Sequence, residues 1–143
     1  MFSKEESTKL KQLFWTSFGK SFPKKWLLYN TKIKGFVFKF VADTKTAMVC
    51  LDIEMNNIEI KNSYFEKILS LKNILLNEYI SNLIFDKDYH LENGKSICRI
   101  YTELPQKFSV HNKDTWHDAF QFFIQNMKQF ELFFHEYEDV IKA

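Results

Sequence analysis

The stretch Gly-Phe-Val-Phe-Lys-Phe-Val-Ala-Asp-Thr-Lys-Thr-Ala-Met-Val-Cys-Leu-Asp-Ile-Glu-Met, from Gly35 to Met55, constrains this chain more than any other. Phe36, Phe38 and Phe40 alternate ahead of a turn near Asp43-Thr44, and Ala47, Val49, Leu51 and Ile53 alternate after it. A repeat of two is the period of a strand, because successive side chains point to opposite faces of a sheet. The pattern therefore predicts an antiparallel hairpin with all seven apolar side chains on one face. A turn of two residues (43–44) or of four (42–45) gives one register, with Phe40 opposite Ala47, Phe38 opposite Val49 and Phe36 opposite Leu51.

The rest of the chain supplies cover for that face. Ser3-Lys4-Glu5-Glu6 has the Ser-x-x-Glu form of a capping box, so a first helix is predicted from there, with Leu10, Leu13, Phe14, Ser17 and Phe18 at helical spacing and Gly19 and Pro23 ending it. Residues 22–34 have no clear period and are left unassigned. Asn56-Asn57 closes the hairpin, and a second helix is predicted over roughly Lys61–Tyr79 on the stripe of Tyr64, Phe65, Ile68, Leu69, Leu71, Leu75, Leu76 and Tyr79. Leu83–Leu91 and Lys95–Leu104 read as a second hairpin about Asn93-Gly94, the strongest turn signal in the chain. A two-residue turn there sets Asp88 opposite Arg99 and Tyr89 opposite Cys98. A last helix begins near Asn112–Asp114 and runs close to the C-terminus, about 40 Å at 1.5 Å per residue. Its apolar stripe from Trp116 to Ile141 is widened by Phe122 and Phe133. These elements predict one α+β domain over residues 1–143, a four-stranded, mainly antiparallel sheet of two hairpins with three helices on one face, in the order α-ββ-α-ββ-α.

Charge is unevenly spread. Residues 1–49 carry ten Lys against Glu5, Glu6 and Asp43 (10 − 3 = +7), and residues 50–143 carry nine Lys and Arg99 against fifteen acids (10 − 15 = −5). Such a division suits an anionic partner on one side or head-to-tail self-association. Sixteen Phe, six Tyr and three Trp exceed what a small core commonly needs, which points either to a Phe-rich core or to a surface that binds something. Cys50 and Cys98 have no metal or redox spacing and read as buried free thiols of a reducing compartment. The start of the chain lacks an apolar leader, and no run of 18 apolar residues occurs, so the expected location is the cytoplasm with no membrane partner.

Three glycines, Gly19, Gly35 and Gly94, leave no phosphate-binding loop, dinucleotide fingerprint or nucleophile elbow, and no His-Glu-x-x-His, Cys-x-x-Cys or EF-hand loop is present. No catalytic residue, metal or cofactor is assigned. Asp52-x-Glu54 places two carboxylates on the second face of the central hairpin, the pattern of a weak carboxylate site. The lysine that a restriction-type nuclease needs after the Glu is replaced by Asn56, and the one Glu-x-Lys, Glu59-Ile60-Lys61, lies at a helix start. Asp86-x-Asp88-x-His90 and the Glu131, His135, Glu138, Asp139 group read as solvated faces. The most suggestive positive signal is Lys20, Phe22, Lys24, Lys25, Trp26, Tyr29, Lys32 and Lys34, lysines interleaved with rings as on a phosphate-tracking, base-stacking surface. That segment has no arginine, so bidentate base recognition is unavailable to it, and Trp26 and Tyr29 equally suit anchoring in a core.

Phe14-Trp15-Thr16-Ser17-Phe18-Gly19, Lys25-Trp26-Leu27-Leu28-Tyr29-Asn30-Thr31, Cys50-Leu51-Asp52-Ile53-Glu54, Arg99-Ile100-Tyr101, Trp116 and Phe130-Glu131-Leu132-Phe133-Phe134 together resemble a bacterial family, domain of unknown function 4268. The resemblance spans nearly the whole chain and implies no activity and no catalytic residues. Relatives of this kind that form the C-terminal part of longer proteins, some with a nuclease-like N-terminal part, imply a DNA-linked accessory role. The reading of the sequence is a non-enzymatic interaction module that self-associates, as a homodimer or with another protein, through aromatic surface on the last helix. Its rivals are a nucleic-acid-binding accessory using Lys20–Lys34 and a divalent-metal-dependent nuclease-like hydrolase using Asp52 and Glu54.

Overall fold

The capping box at Ser3 forms as its sequence requires. In a computed structural model that describes residues 2–24, 26 and 30–143, Ser3 Oγ accepts from the Glu6 amide (3.0 Å) while Glu6 Oε1 accepts from the Ser3 amide (3.4 Å). Helix α1 (Lys4–Ser21) passes through Gly19 rather than stopping there, since nothing crowds that position and its last turn is closed by Phe22 N–H on Phe18 O. Of the expected stripe, Phe14 and Phe18 are buried and Leu13 is exposed.

Strands β1 (Phe36–Ala42) and β2 (Ala47–Ile53) make the predicted hairpin with the predicted faces, but the register is two residues away from the expected one. Phe40 pairs with Val49, Phe38 with Leu51 and Phe36 with Ile53, because the connection is Asp43–Thr46. Asp43 Oδ1 accepts from the amides of Lys45 and Thr46, both at 2.7 Å, and this side-chain turn selects the longer loop. A shift of two preserves which side chains face together. Gly35, at φ 82°, closes the other end, its carbonyl accepting from Glu54 N–H at 2.7 Å.

Asn57 caps α2 (Ile58–Ser70) through Oδ1 on the Ile60 amide, so the helix starts before Lys61. It does not reach Tyr79 unbroken. Leu71 leaves helical geometry, and a short turn α3 (Lys72–Ile74) runs into a π-helical turn (Leu75–Tyr79) closed by Ile80 N–H on Leu75 O. The helices thus number four, not three. Strands β3 (Ile84–His90) and β4 (Ser96–Glu103) form the second hairpin, and here the expected register fails. Leu91 N–H bonds Lys95 O and Gly94 N–H bonds Leu91 O, so the loop is the three residues Glu92-Asn93-Gly94 with Gly94 at φ 86°. This longer loop sets Tyr89 opposite Ile97, on the Arg99 side of the sheet, and a bulge between Asp86 and Tyr89 then sets Asp86, not Asp88, opposite Arg99. Asn112 caps a 3-10 turn (Lys113–Thr115) that opens α4 (Trp116–Lys142).

The sheet order is β1-β2-β4-β3, antiparallel throughout. One face carries the helices. Phe130 and Phe134 of α4 lie on Phe38, Phe123 on Phe40, Tyr64 of α2 on Phe36, and Phe18 of α1 on Phe40. The aromatic stripe of α4 is spent in this core, where Phe123, Phe130 and Phe133 are fully buried. Surplus aromatic surface on the last helix, which the sequence suggests for self-association, is therefore reduced to half-buried Phe122 and Tyr137, beside exposed aliphatic Leu132 and Val140. No helix among the described residues is long and apolar enough to cross a membrane.

Candidate functional site

The second face of the sheet has its own population of side chains. Val37, Lys39 and Val41 of β1, Met48, Cys50 and Asp52 of β2, Ile97, Arg99 and Tyr101 of β4, and Ile84, Asp86 and Tyr89 of β3 follow from the ladder as one surface. Met48, Cys50 and Ile97 are buried but stand outside the core cluster that the helices cover.

At its centre two charges are buried. The β2–β4 ladder places Asp52 directly opposite Arg99, and the guanidinium meets the carboxylate in fork geometry, Nε on Oδ1 at 2.7 Å and Nη2 on Oδ2 at 2.8 Å. Asp52 is 0% exposed and Arg99 4%. Lys39 Nζ reaches Oδ2 from β1 at 3.1 Å, and the Tyr89 ring lies 4.3 Å from the Arg99 Cζ, with Tyr101 edge-on to Tyr89. Burial works against the charge of Arg99, but the hydrogen bonds to Asp52 and the neighbouring Cys50, Asp52 and Tyr89 outweigh it and hold the guanidinium above its ordinary value. Burial pushes the Cys50 thiol up to about 12, against the opposing charge of Arg99. A thiol held protonated at neutral pH is neither nucleophile nor redox group. Burial also raises the Tyr101 phenol and the Cys98 thiol.

The weak carboxylate site takes a different form from its sequence pattern. Both oxygens of Asp52 are committed to cations, while Glu54 lies beyond the end of β2, exposed, with Lys95 Nζ at 3.5 Å. The two carboxylates do not converge, and no group of three or more metal-ligating side chains occurs among the described residues. In the lysine-rich segment, Lys24 bonds Glu131 Oε1 at 3.0 Å and lies 4.4 Å from the Trp26 ring, which is itself buried edge-on to Phe40. Lys20, Lys32 and Lys34 are exposed, Lys32 at φ 63° with its amide held by Asn30 Oδ1. Lys25 and Tyr29 lie outside the described residues. His90 and Asp88 sit together on the exposed strand end, and Glu138 pairs with Lys142 instead of His135.

Sequence reasoning named Asp52 and Arg99 separately and missed their pairing. The available signal was complementarity: Arg99 is the only arginine of the chain, and Asp52 is the only charge inside an otherwise apolar strand. In the buried pair itself both carboxylate oxygens of Asp52 are held by cations. What the arrangement offers is a patterned surface with aromatic, aliphatic and fixed polar groups.

The family described as Domain of unknown function (DUF4268) matches residues 10–138. No curated protein and no solved structure matches the chain.

Proposed function

The chain belongs to the DUF4268 family, a domain of unknown function, and we propose that it works as a non-enzymatic interaction module that docks protein surfaces, its own included, on the helix-free face of its sheet. The observation that carries this reading is the face itself. Half-buried Val37, Val41, Tyr89 and Tyr101 and exposed Ile84 surround a buried ion pair in which Arg99 Nε and Nη2 both bond the Asp52 carboxylate. An antiparallel sheet left open to water ordinarily alternates toward polar residues on its outer face; an apolar and aromatic outer face is the composition of an interface centre. The nucleic-acid reading draws its support from Lys20, Lys32 and Lys34 alone among the described lysines of its segment, since Lys24 is engaged and the Trp26 ring is buried.

Hydroxyl-radical footprinting tests it, comparing cells with the purified protein at high dilution. Tyr89 and Tyr101, both half-buried in the free chain, are expected to be several-fold less oxidised in cells. Equal oxidation in both overturns the reading. Protection confined to residues 20–34 and lost on nuclease treatment replaces it with the nucleic-acid one.

A further inference from the structure

We infer that the partner on this face is a second copy of the chain, packed sheet to sheet about a two-fold axis that runs along the strands. The inference rests on the reading of the face as an interaction surface. Its specific support is the order of charges across the sheet.

The triad of Lys39, Asp52 and Arg99 contains two cations and one anion, and its surplus positive charge sits on β1, where Lys39 is 39% exposed at its side chain. The opposite edge is anionic. Asp86 on β3 and, on the strand beside it, Glu103 of β4 share this face and form no ion pair among the described residues. Two in-plane two-fold axes can bring such a face onto itself. An axis across the strands lays β1 over β1 and β3 over β3, opposing like charges. An axis along the strands lays β1 over the partner's β3, which sets cationic edge over anionic edge twice. The same operation puts Val37 and Val41 of one copy above the Ile84 and Tyr89 strand of the other, in the aligned packing that twisted sheets adopt at about −30°.

Size sets the strength. Four strands at ~4.8 Å spacing and seven residues at ~3.3 Å give roughly 440 Å² of sheet per copy in projection. Two such faces fall below the ~1,200 Å² of a tight complex, so the dimer is reversible, with a dissociation constant on the order of 10 μM or weaker.

Sedimentation velocity over a concentration series tests this on the full chain. The wild type is expected to pass from monomer to dimer. Ile84→Lys, on a strand position already in water and level with Lys39 in the ladder, should weaken the dimer at least about tenfold without changing the far-UV circular dichroism. Lys39→Glu and Asp86→Lys should each be monomeric alone and should dimerise when mixed, because of these two variants only the mixed pair sets opposite charges on the facing edges at both junctions. If Lys39→Glu disturbs folding through Asp52, Ile84→Lys decides by itself. A protein that stays monomeric at every concentration, while the face is protected in cells, overturns the second copy and leaves the interaction module standing. A dimer indifferent to Ile84→Lys and to the charge exchange overturns it as well.

Discussion

Removing one member of the Asp52–Arg99 pair should cost far more than removing both. Asp52→Val strands the Arg99 guanidinium beneath Tyr89 at 4% exposure with Nε and Nη2 both unmatched. Breaking a buried pair from one side costs about 3–5 kcal/mol. Arg99→Met should fall at the lower end, about 3 kcal/mol, because Lys39 remains 3.1 Å from the carboxylate and is mobile enough to follow it. The double substitution Asp52→Val with Arg99→Met leaves only Lys39, which reaches water, and should lie within about 1 kcal/mol of wild type. At ~2.1 cal/mol/K per residue, a chain of 143 residues loses about 3 °C of Tm per kcal/mol, so the single changes should lower Tm by roughly 10–15 °C. The assay is urea unfolding followed by tryptophan fluorescence at two protein concentrations, since association adds apparent stability by mass action. The expected order of damage is Asp52→Val, then Arg99→Met, then the double variant, with a coupling energy of several kcal/mol. Additive single effects, or a loss below about 1 kcal/mol in each, would show that water screens the pair and would refute the reasoning.

Alkaline stability should depend on Cys50. Its pKa is raised from 9.0 unfolded to about 12 folded, so as pH rises through that window the unfolded chain gives up its proton first, and stability present below pH 9 is lost by up to ~4 kcal/mol. Cys98 and Tyr101, raised by burial, act with the same sign. Cys50→Ala should flatten the fall of Tm between pH 9 and 11; an unchanged slope would assign it elsewhere. Gly35→Ala and Gly94→Ala separate backbone strain from crowding. Both positions have positive φ, costing about 1 kcal/mol each, but a Cβ at Gly35 would lie 2.3 Å from Glu54 O while Gly94 faces open space. Gly35→Ala should therefore cost at least twice as much in equilibrium unfolding, and equal costs would place the strain in φ alone.

Much of the fold was legible because its rules are local. The Ser3 cap is decided within three residues, and the Phe36, Phe38, Phe40 alternation within one strand; the Asn57 cap is as local, but Asn56-Asn57 reads in the sequence as the close of the hairpin. Errors clustered where two rules competed over a few residues. Asn93-Gly94 favours a two-residue turn, yet the loop takes three residues and Tyr89 changes face as a result, while the bulge at Asp86–Tyr89 returns Asp86 to that same face. At Asp43 the side chain, not the dipeptide, sets the loop length. The candidate site was legible only as fragments. Asp52 was visible as an odd carboxylate and Arg99 as a lone arginine on separate hairpins. The aromatic excess of α4 was visible too, but not its destination in the core.

By itself the sequence determined where the four strands and the first and last helices lie, which side chains of the first hairpin share a face, and that an apolar sheet face must be covered by helices. Periodicities of 2 and 3.6 act within an element and need no knowledge of its neighbours. Only the tertiary structure decided that β2 lies beside β4. Two hairpins can join through either edge of each, and the choice comes from the total burial of the helices and strands packed on them, with no local code to announce it. That adjacency brings Asp52 and Arg99, 47 residues apart in sequence, into a single buried pair at the centre of the sheet face that carries no helices.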